Sequence, residues 1–210
     1  MIFCDIGNTN AHLLIKERLH VKSVKEFLEL SFDEKIYYIC VNDSIKPFLH
    51  AKRNFFDLEP HITFDTKYRS MGIDRICACK AVSDGVVVDA GSAITVDIMK
   101  KGIHAGGYIL PGLTAYNTAY ASISTRLQLG INKDIKLDKI PQNTKDAISY
   151  AIIKSIKLII KNSAKNRKIY FSGGDGEYLA GFFKNAIYDK MLILKVLQRT
   201  FDDLKASQGD

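Results

Sequence analysis

Two stretches of this chain are built almost alike, and together they narrow what it can fold into. Val86-Val87-Val88 runs straight into Asp89, then Ala90-Gly91-Ser92, then the alternating segment Ala93 to Asp97. That order suits a buried strand turning sharply into a hairpin. The start of the chain repeats it: Met1 to Cys4 leads into Asp5-Ile6-Gly7-Asn8-Thr9-Asn10 and a second strand-like run, Ala11 to Ile15. Asp5 aligns with Asp89 and Gly7 with Gly91. A unit of strand, Asp-x-Gly turn and strand that opens each half of the chain predicts a duplicated domain. The expected architecture is therefore α/β, with two similar halves, 1–85 and 86–210, meeting in a turn near Ser83-Asp84-Gly85.

At 210 residues the chain can bury a substantial core. Its 47% hydrophobic and 25% charged residues are ordinary for a globular protein and exclude disorder as the default. No apolar run approaches the ~18 residues of a membrane span, and the strand pattern begins at once without a basic leader. A cytoplasmic location and no membrane partner are the expectation. Cys4, Cys40, Cys77 and Cys79 form no Cys-x-x-Cys pair or Cys/His cluster, so they read as buried structural thiols. The net charge of +7 is densest between Lys154 and Lys168. There Lys154, Lys157, Lys161 and Lys165 fall at helical spacing opposite Ile152, Ile153, Ile156, Ile159 and Ile160. That is the wet face of an amphipathic helix, with a smaller share left to attraction of anionic ligands. Nucleic acid is not the expected partner.

Along the first half, Ser23 to Leu30 reads as a helix, Lys35 to Val41 as a strand, and Ser44 to Asn54 as a helix that Ser44 can cap. A brief extended piece is expected at His61 to Phe64, and a buried helix at Ile76 to Val82. In the second half, strands at 86–97 and 103–110 precede a helix over 112–127 with Pro111 in its first turn. Asn143-Thr144 can cap a long helix to Ala164. Ile169 to Phe171 then enters the glycine-rich turn Ser172-Gly173-Gly174-Asp175-Gly176, and the tail from Met191 to Lys205 is helical.

Two Asp-x-Gly turns facing each other across a cleft would make a site for phosphates, because Gly-containing turns present successive backbone N–H groups to an anion. The carboxylates of Asp5 and Asp89 would repel a phosphate unless a hard cation such as magnesium lay between. The P-loop spacing is absent. Each carboxylate also has a plainer reading. Asp74 would cap the helix that follows it, Asp5 would hold an Asx turn, and Asp97 would bond backbone groups at the hairpin end. Thr144 would be a helix cap and Ser172 to Asp175 a strand-to-helix turn.

Six motifs occur in order: Asp5 to Asn10, Gly72-Ile73-Asp74-Arg75, Asp89 to Asp97, Gly106 to Gly112, Asn143-Thr144 and Ser172 to Asp175. As a set they resemble the type III pantothenate kinase family, within the superfamily of actin, the Hsp70 ATPase domain and sugar kinases. The resemblance implies two ribonuclease H-like domains with an ATP cleft between them. It also implies transfer of the ATP γ-phosphoryl group to the primary hydroxyl of pantothenate, the first step towards coenzyme A. By the same resemblance Asp74 is the catalytic carboxylate. Tyr68, Gly72, Ile73, Asp74 and Arg75 contact pantothenate, with Thr144 reaching in from the neighbouring protomer of a homodimer with a shared active site. Asp5, Ile6, Gly7, Asn8, Thr9, Asn10, Ala11 and His12 would hold ATP with Mg2+ at Asp5, and Ser92, Gly173 and Gly174 would complete the nucleotide contacts. Asp89 would hold a monovalent cation, K+ or NH4+. Ser92 departs from the family pattern, which has Thr there; the hydroxyl stays and a packing methyl is lost. A non-catalytic nucleotide-binding regulator similar to the Bvg accessory factor is the alternative implied by the same relatives.

Overall fold

The computed structural model describes residues 1–208, which divide into two compact units. The first takes residues 1–83 together with the chain from Met191 onward, and the second takes Asp84–Lys190. Among the described residues no helix is long and apolar enough to cross a membrane.

The first unit opens in an antiparallel meander, β1 (Ile2–Ile6), β2 (Asn10–Ile15) and β3 (Arg18–Ser23). Ser23 then starts α1 (Val24–Glu29) with a capping box: its hydroxyl accepts from the Glu26 N–H, and the Glu26 carboxylate accepts from the Ser23 N–H. The crossover returns as β4 (Ile36–Cys40), parallel to β1, followed by α2 (Lys46–His50) and β5 (Phe55–Asp57). The sheet order is β3-β2-β1-β4-β5. Because alternate side chains leave opposite faces of a strand, Ile2, Cys4 and Ile6 enter a core with Val24, Phe27, Tyr38 and Leu49. Phe3 and Asp5 point to the other face, which α3 (Ile73–Lys80) and α7 (Leu192–Gln208) cover.

The second unit repeats this plan. Its strands β6 (Gly85–Ala90), β7 (Ala93–Lys100) and β8 (Ile103–Pro111) form the meander. The helices α4 (Leu113–Ile123) and α5 (Thr144–Ala164) then lead to β9 (Ile169–Ser172), parallel to β6. After α6 (Gly176–Ala180), β10 (Ala186–Tyr188) completes the order β8-β7-β6-β9-β10. Position for position this is the first sheet again. Val86, Val88 and Ala90 meet the Ile148, Ile152, Ile153, Ile156 and Ile160 face of α5 in the core.

Several expectations need correction. The tail does not belong with the second half. The buried face of α7, including Leu194, Leu197 and Phe201, packs in the first unit, where the Phe201 ring lies 5.6 Å from Phe3 and 4.4 Å from Tyr37. The helix expected over Ser44 to Asn54 shrinks to α2 because Ser44 does not cap it: both its N–H and its hydroxyl donate to Asn42 Oδ1. The extended piece lies at β5, not at His61 to Phe64. Pro111 is the last residue of β8, paired with Ala93, and Gly112 caps α4. The helix expected from Ile76 begins at Ile73, which places Asp74 and Arg75 inside it.

Candidate active site

Asp5 and Asp89 occupy the same place in their sheets, the penultimate residue of the first strand, beside the turn. In the first unit the Gly7 N–H donates to the Asn10 carbonyl at 2.9 Å, and Asn8, Thr9 and Asn10 are exposed. The second turn is tighter: the Gly91 N–H reaches the Ala93 carbonyl at 2.9 Å. Asp5 faces His12 across the β1–β2 ladder, and the His12 Nδ1 lies 3.8 Å from its Oδ2. Asp5 is thus held in place by the strand pairing rather than by an Asx turn.

On the same face of the first sheet, Gly72 caps α3 with extended backbone and no side-chain cap. Asp74 stands one residue inside the helix, so the plainer reading of it as an N-cap does not hold. Its Oδ1 accepts from the Arg75 N–H at 2.7 Å. A Cβ on Gly72 would lie 2.6 Å from that oxygen, so glycine is what lets the carboxylate stand over the helix start. Burial raises the Asp74 carboxyl above the ordinary aspartate range. The Arg75 backbone bond opposes this, the negative charge of Asp5 adds to it, and the Arg75 guanidinium opposes it in turn. Arg75 is 5% exposed, and its guanidinium sits 4.6 Å from the centre of the Tyr68 ring. Asp5, Tyr68, Gly72, Asp74 and Arg75 therefore gather in one unit, at the carboxyl end of its central strands, where open α/β sheets place their ligands.

In the second unit the turn after β9 folds back onto the end of β6. Gly173 has φ +83°, and a Cβ there would meet the Ala90 carbonyl oxygen at 2.5 Å and Asp89 Oδ1 at 2.7 Å. The Asp175 N–H donates to that same Ala90 carbonyl at 3.0 Å. Gly112 is equally constrained, since a Cβ would lie 2.4 Å from the carbonyl oxygens of Gly91 and Ser92. Asp89, Ser92, Gly173 and Gly174 thus belong to the connected set of turns at one end of the sheet. Thr144 lies elsewhere, exposed at the start of α5. The cap there is Asn143, whose side chain accepts from the Asp146 N–H and donates to the Asp146 carboxylate. Asp97 is 1% exposed, lies inside β7 and not at the hairpin end, and bonds His104 Nε2 at 3.0 Å.

One residue was not anticipated. Lys133, in the connector after α4, binds Asp175 Oδ1 at 2.8 Å and lies 5.3 Å from the centre of the Tyr178 ring. Its neighbour Asn132 donates its side-chain amide to the Asp146 carboxylate at 2.8 Å and its backbone N–H to the Ser149 hydroxyl oxygen at 2.8 Å. Two consecutive residues of an irregular segment therefore tie the start of α5 to the glycine-rich turn. The only local signal was the polarity of the connector, because the partners lie 14 to 42 residues away.

Comparison with known proteins identifies the family. The profile of the type III pantothenate kinase family matches residues 40–166. A type III pantothenate kinase of Campylobacter jejuni is 49% identical over 95% of both chains. That of Wolinella succinogenes is 44% identical over 98% of both. A crystal structure from Campylobacter jejuni, described as a proposed Baf family transcriptional activator, superposes with a TM-score of 0.90 at 47% identity, covering 98% of this chain and 100% of that one. MreB 5 of Spiroplasma citri bound to AMPPNP, at 10% identity and a TM-score of 0.53 over 99% and 97% of the chains, shows only the shared actin-like ATPase fold. Duplicated sheets, paired Asp-x-Gly turns and relatives matching nearly end to end lead to one conclusion: the chain belongs to the type III pantothenate kinase family.

Proposed function

We propose that the reaction of this family, transfer of the ATP γ-phosphoryl group to the primary hydroxyl of pantothenate, is organised here around Asp74. The observation that carries this reading is the Gly72–Asp74 arrangement: a carboxylate held over a helix start by a backbone bond, beside a buried arginine, with a glycine that leaves it room. Phosphoryl transfer needs an oriented nucleophile and charge stabilisation more than a strong base. Asp74 accepts the hydrogen bond of the pantothenate hydroxyl and takes its proton as the bond to phosphorus forms. Arg75, with Tyr68 stacked on it, and Gly72-Ile73 bind the carboxylate and polar oxygens of pantothenate.

In the first unit, Asp5 and the turn through His12 receive the ATP phosphates, and the hard oxygens of Asp5 fit magnesium. A bound magnesium supplies neutralisation of phosphate charge. In the second unit, Ser92 and Gly173-Gly174 take the nucleotide. Asp89, beside the Ala90 carbonyl and Gly173, offers the oxygen donors that suit K+ or NH4+. The experiment is an ATP-dependent assay on pantothenate in potassium and then in sodium. Turnover in potassium that drops in sodium is expected. Absence of turnover would remove the substrate assignment, and equal rates in the two salts would remove the cation role of Asp89.

A homodimer with a shared site is the second part of the proposal. Thr144 supports it, because its hydroxyl is exposed and not used in capping. So do Ile109, Ile123, Ile140 and Leu158 of the second unit, which are 54%, 71%, 73% and 54% exposed. Sedimentation should give twice the 23.6 kDa chain mass, and mixing inactive Asp74→Asn with Thr144→Ala should restore part of the activity. A monomer at assay concentration would sink the shared site. The regulator reading rests on the description of the 47% identical crystal structure, a statement about that protein. Asp74 weighs against it here, since a pure binding module has no use for a carboxylate poised for an acceptor hydroxyl.

A further inference from the structure

The lysine stripe of α5 was expected to be a solvated face, and two features depart from that. Lys154 is half-buried and donates to the Leu137 carbonyl at 2.8 Å, pinning the connector. Further along the helix, Lys157, Lys161 and Lys165 border a cavity of about 300 Å3 that they share with Phe182, Phe183 and Lys184. A solvated helix face calls for neither of the last two features, an aromatic wall and a fourth lysine from a separate segment before β10. The volume sits at the lower end of small-ligand pockets.

The chemistry of the lining is divided. Ala164 and Ile169, both buried, join the half-buried phenylalanine rings as an apolar floor. Lys161, Lys165 and Lys184 are exposed at the rim, and Lys157 lies 5.9 Å from the centre of the Phe182 ring. Among the described residues no carboxylate forms an ion pair with any of the four. Like charges at i, i+4 on one helix oppose folding slightly, so this clustering is not explained by helix stability. Proximity of Lys161 and Lys165 to the carboxyl end of α5 offsets part of that cost, but it does not account for Lys184. Lys165 also has a left-handed backbone, φ 52°, which turns the chain at the cavity mouth.

The position separates this cavity from the nucleotide turn. Ile169 opens β9, and Gly173 follows the far end of the same strand, about 13 Å away at ~3.3 Å per residue. We infer that the cavity between the end of α5 and the segment 182–185 is a second binding site, for a small amphipathic anion: an alkyl or aromatic body carrying one phosphate or carboxylate. The body lies on Phe182, Phe183 and Ile169, and the anionic head meets Lys161, Lys165 and Lys184.

The test is calorimetric titration of the full chain with decyl phosphate below its micelle concentration, in the presence and absence of ATP. Saturable one-site binding that ATP does not displace is expected, weakened about tenfold in Lys161→Gln/Lys184→Gln. The charge-matched control Lys136→Gln/Lys139→Gln, both exposed in the connector, should bind as the unmodified chain does. Decanol and inorganic phosphate should each bind more weakly than decyl phosphate. The inference is overturned by no binding up to about 1 mM, by displacement with ATP, by equal weakening in the control, or by decanol or phosphate alone binding as well.

Discussion

Asp74→Asn is expected to lower kcat for pantothenate phosphorylation by about 10²–10⁴-fold, the range of a lost proton acceptor, with the KM for ATP little changed. The amide can still accept the Arg75 N–H, so the helix start survives while the proton acceptor is lost. The linkage sign makes a second expectation. Burial raises the folded-state pKa of Asp74 above its unfolded value. Such a group favours folding fully below the unfolded pKa, and that contribution is lost as pH rises through the folded pKa. At neutral pH the ionised carboxylate therefore works against stability, and Asp74→Asn should melt no lower than the unmodified chain. The activity of the unmodified enzyme should fall on acidification at a pH above the ordinary aspartate value of about 3.9. Any residual activity of Asp74→Asn should lack that limb. Gly72→Ala should reproduce much of the kcat loss with little change in Tm, because the clash falls on a side-chain oxygen that can rotate away from the position proposed for proton transfer. Full activity in Asp74→Asn, together with an unchanged acid limb, would take the proton transfer away from this residue.

Gly173→Ala should have the largest effect on stability. Its φ of +83° disfavours any residue with a Cβ, and the new methyl would press on the Ala90 backbone and on Asp89. Left-handed strain of 1–2 kcal/mol and a comparable packing cost together give roughly 3 kcal/mol, or a Tm lower by roughly 6–12 °C in a chain of this size. Gly174→Ala is the matched control, since a Cβ there meets nothing within 4 Å and needs no left-handed backbone. It should melt within a degree or two of the unmodified chain, a surface change of under about 0.5 kcal/mol. Thermal denaturation of the two variants side by side decides the matter. Equal melting temperatures would mean that the turn does not rest on the end of β6 as the geometry requires.

The two expectations differ in how far the sequence alone could support them. Asp5-Ile6-Gly7 and Asp89-Ala90-Gly91 were readable as equivalent turns, because strand alternation and glycine at a tight turn depend on near neighbours. The same holds for the helix that follows Ser23 and for the long helix that Asn143 caps. Short edge strands were not readable: β5 and β10 have three residues each, too few for an alternating pattern to show. The placement of Asp74 inside α3 depended on where Gly72 ended the preceding loop. A helix boundary is set by the competition between cap and first turn, which the apolar run after it does not reveal.

By itself the sequence determined the duplicated meander, the identity of the paired carboxylates and, through the ordered motifs, the family. These are local or repeated features, so each is encoded within a few residues and survives without knowledge of the rest. Only the tertiary structure decided that α7 returns to the first unit, that Lys133 anchors the glycine-rich turn through Asp175, and that Asp97 is closed off by His104. It also brought Lys184 beside the lysines of α5. Such contacts join residues far apart in the chain, and their formation depends on which apolar faces bury best together. That sum over the whole core is not written in any single stretch.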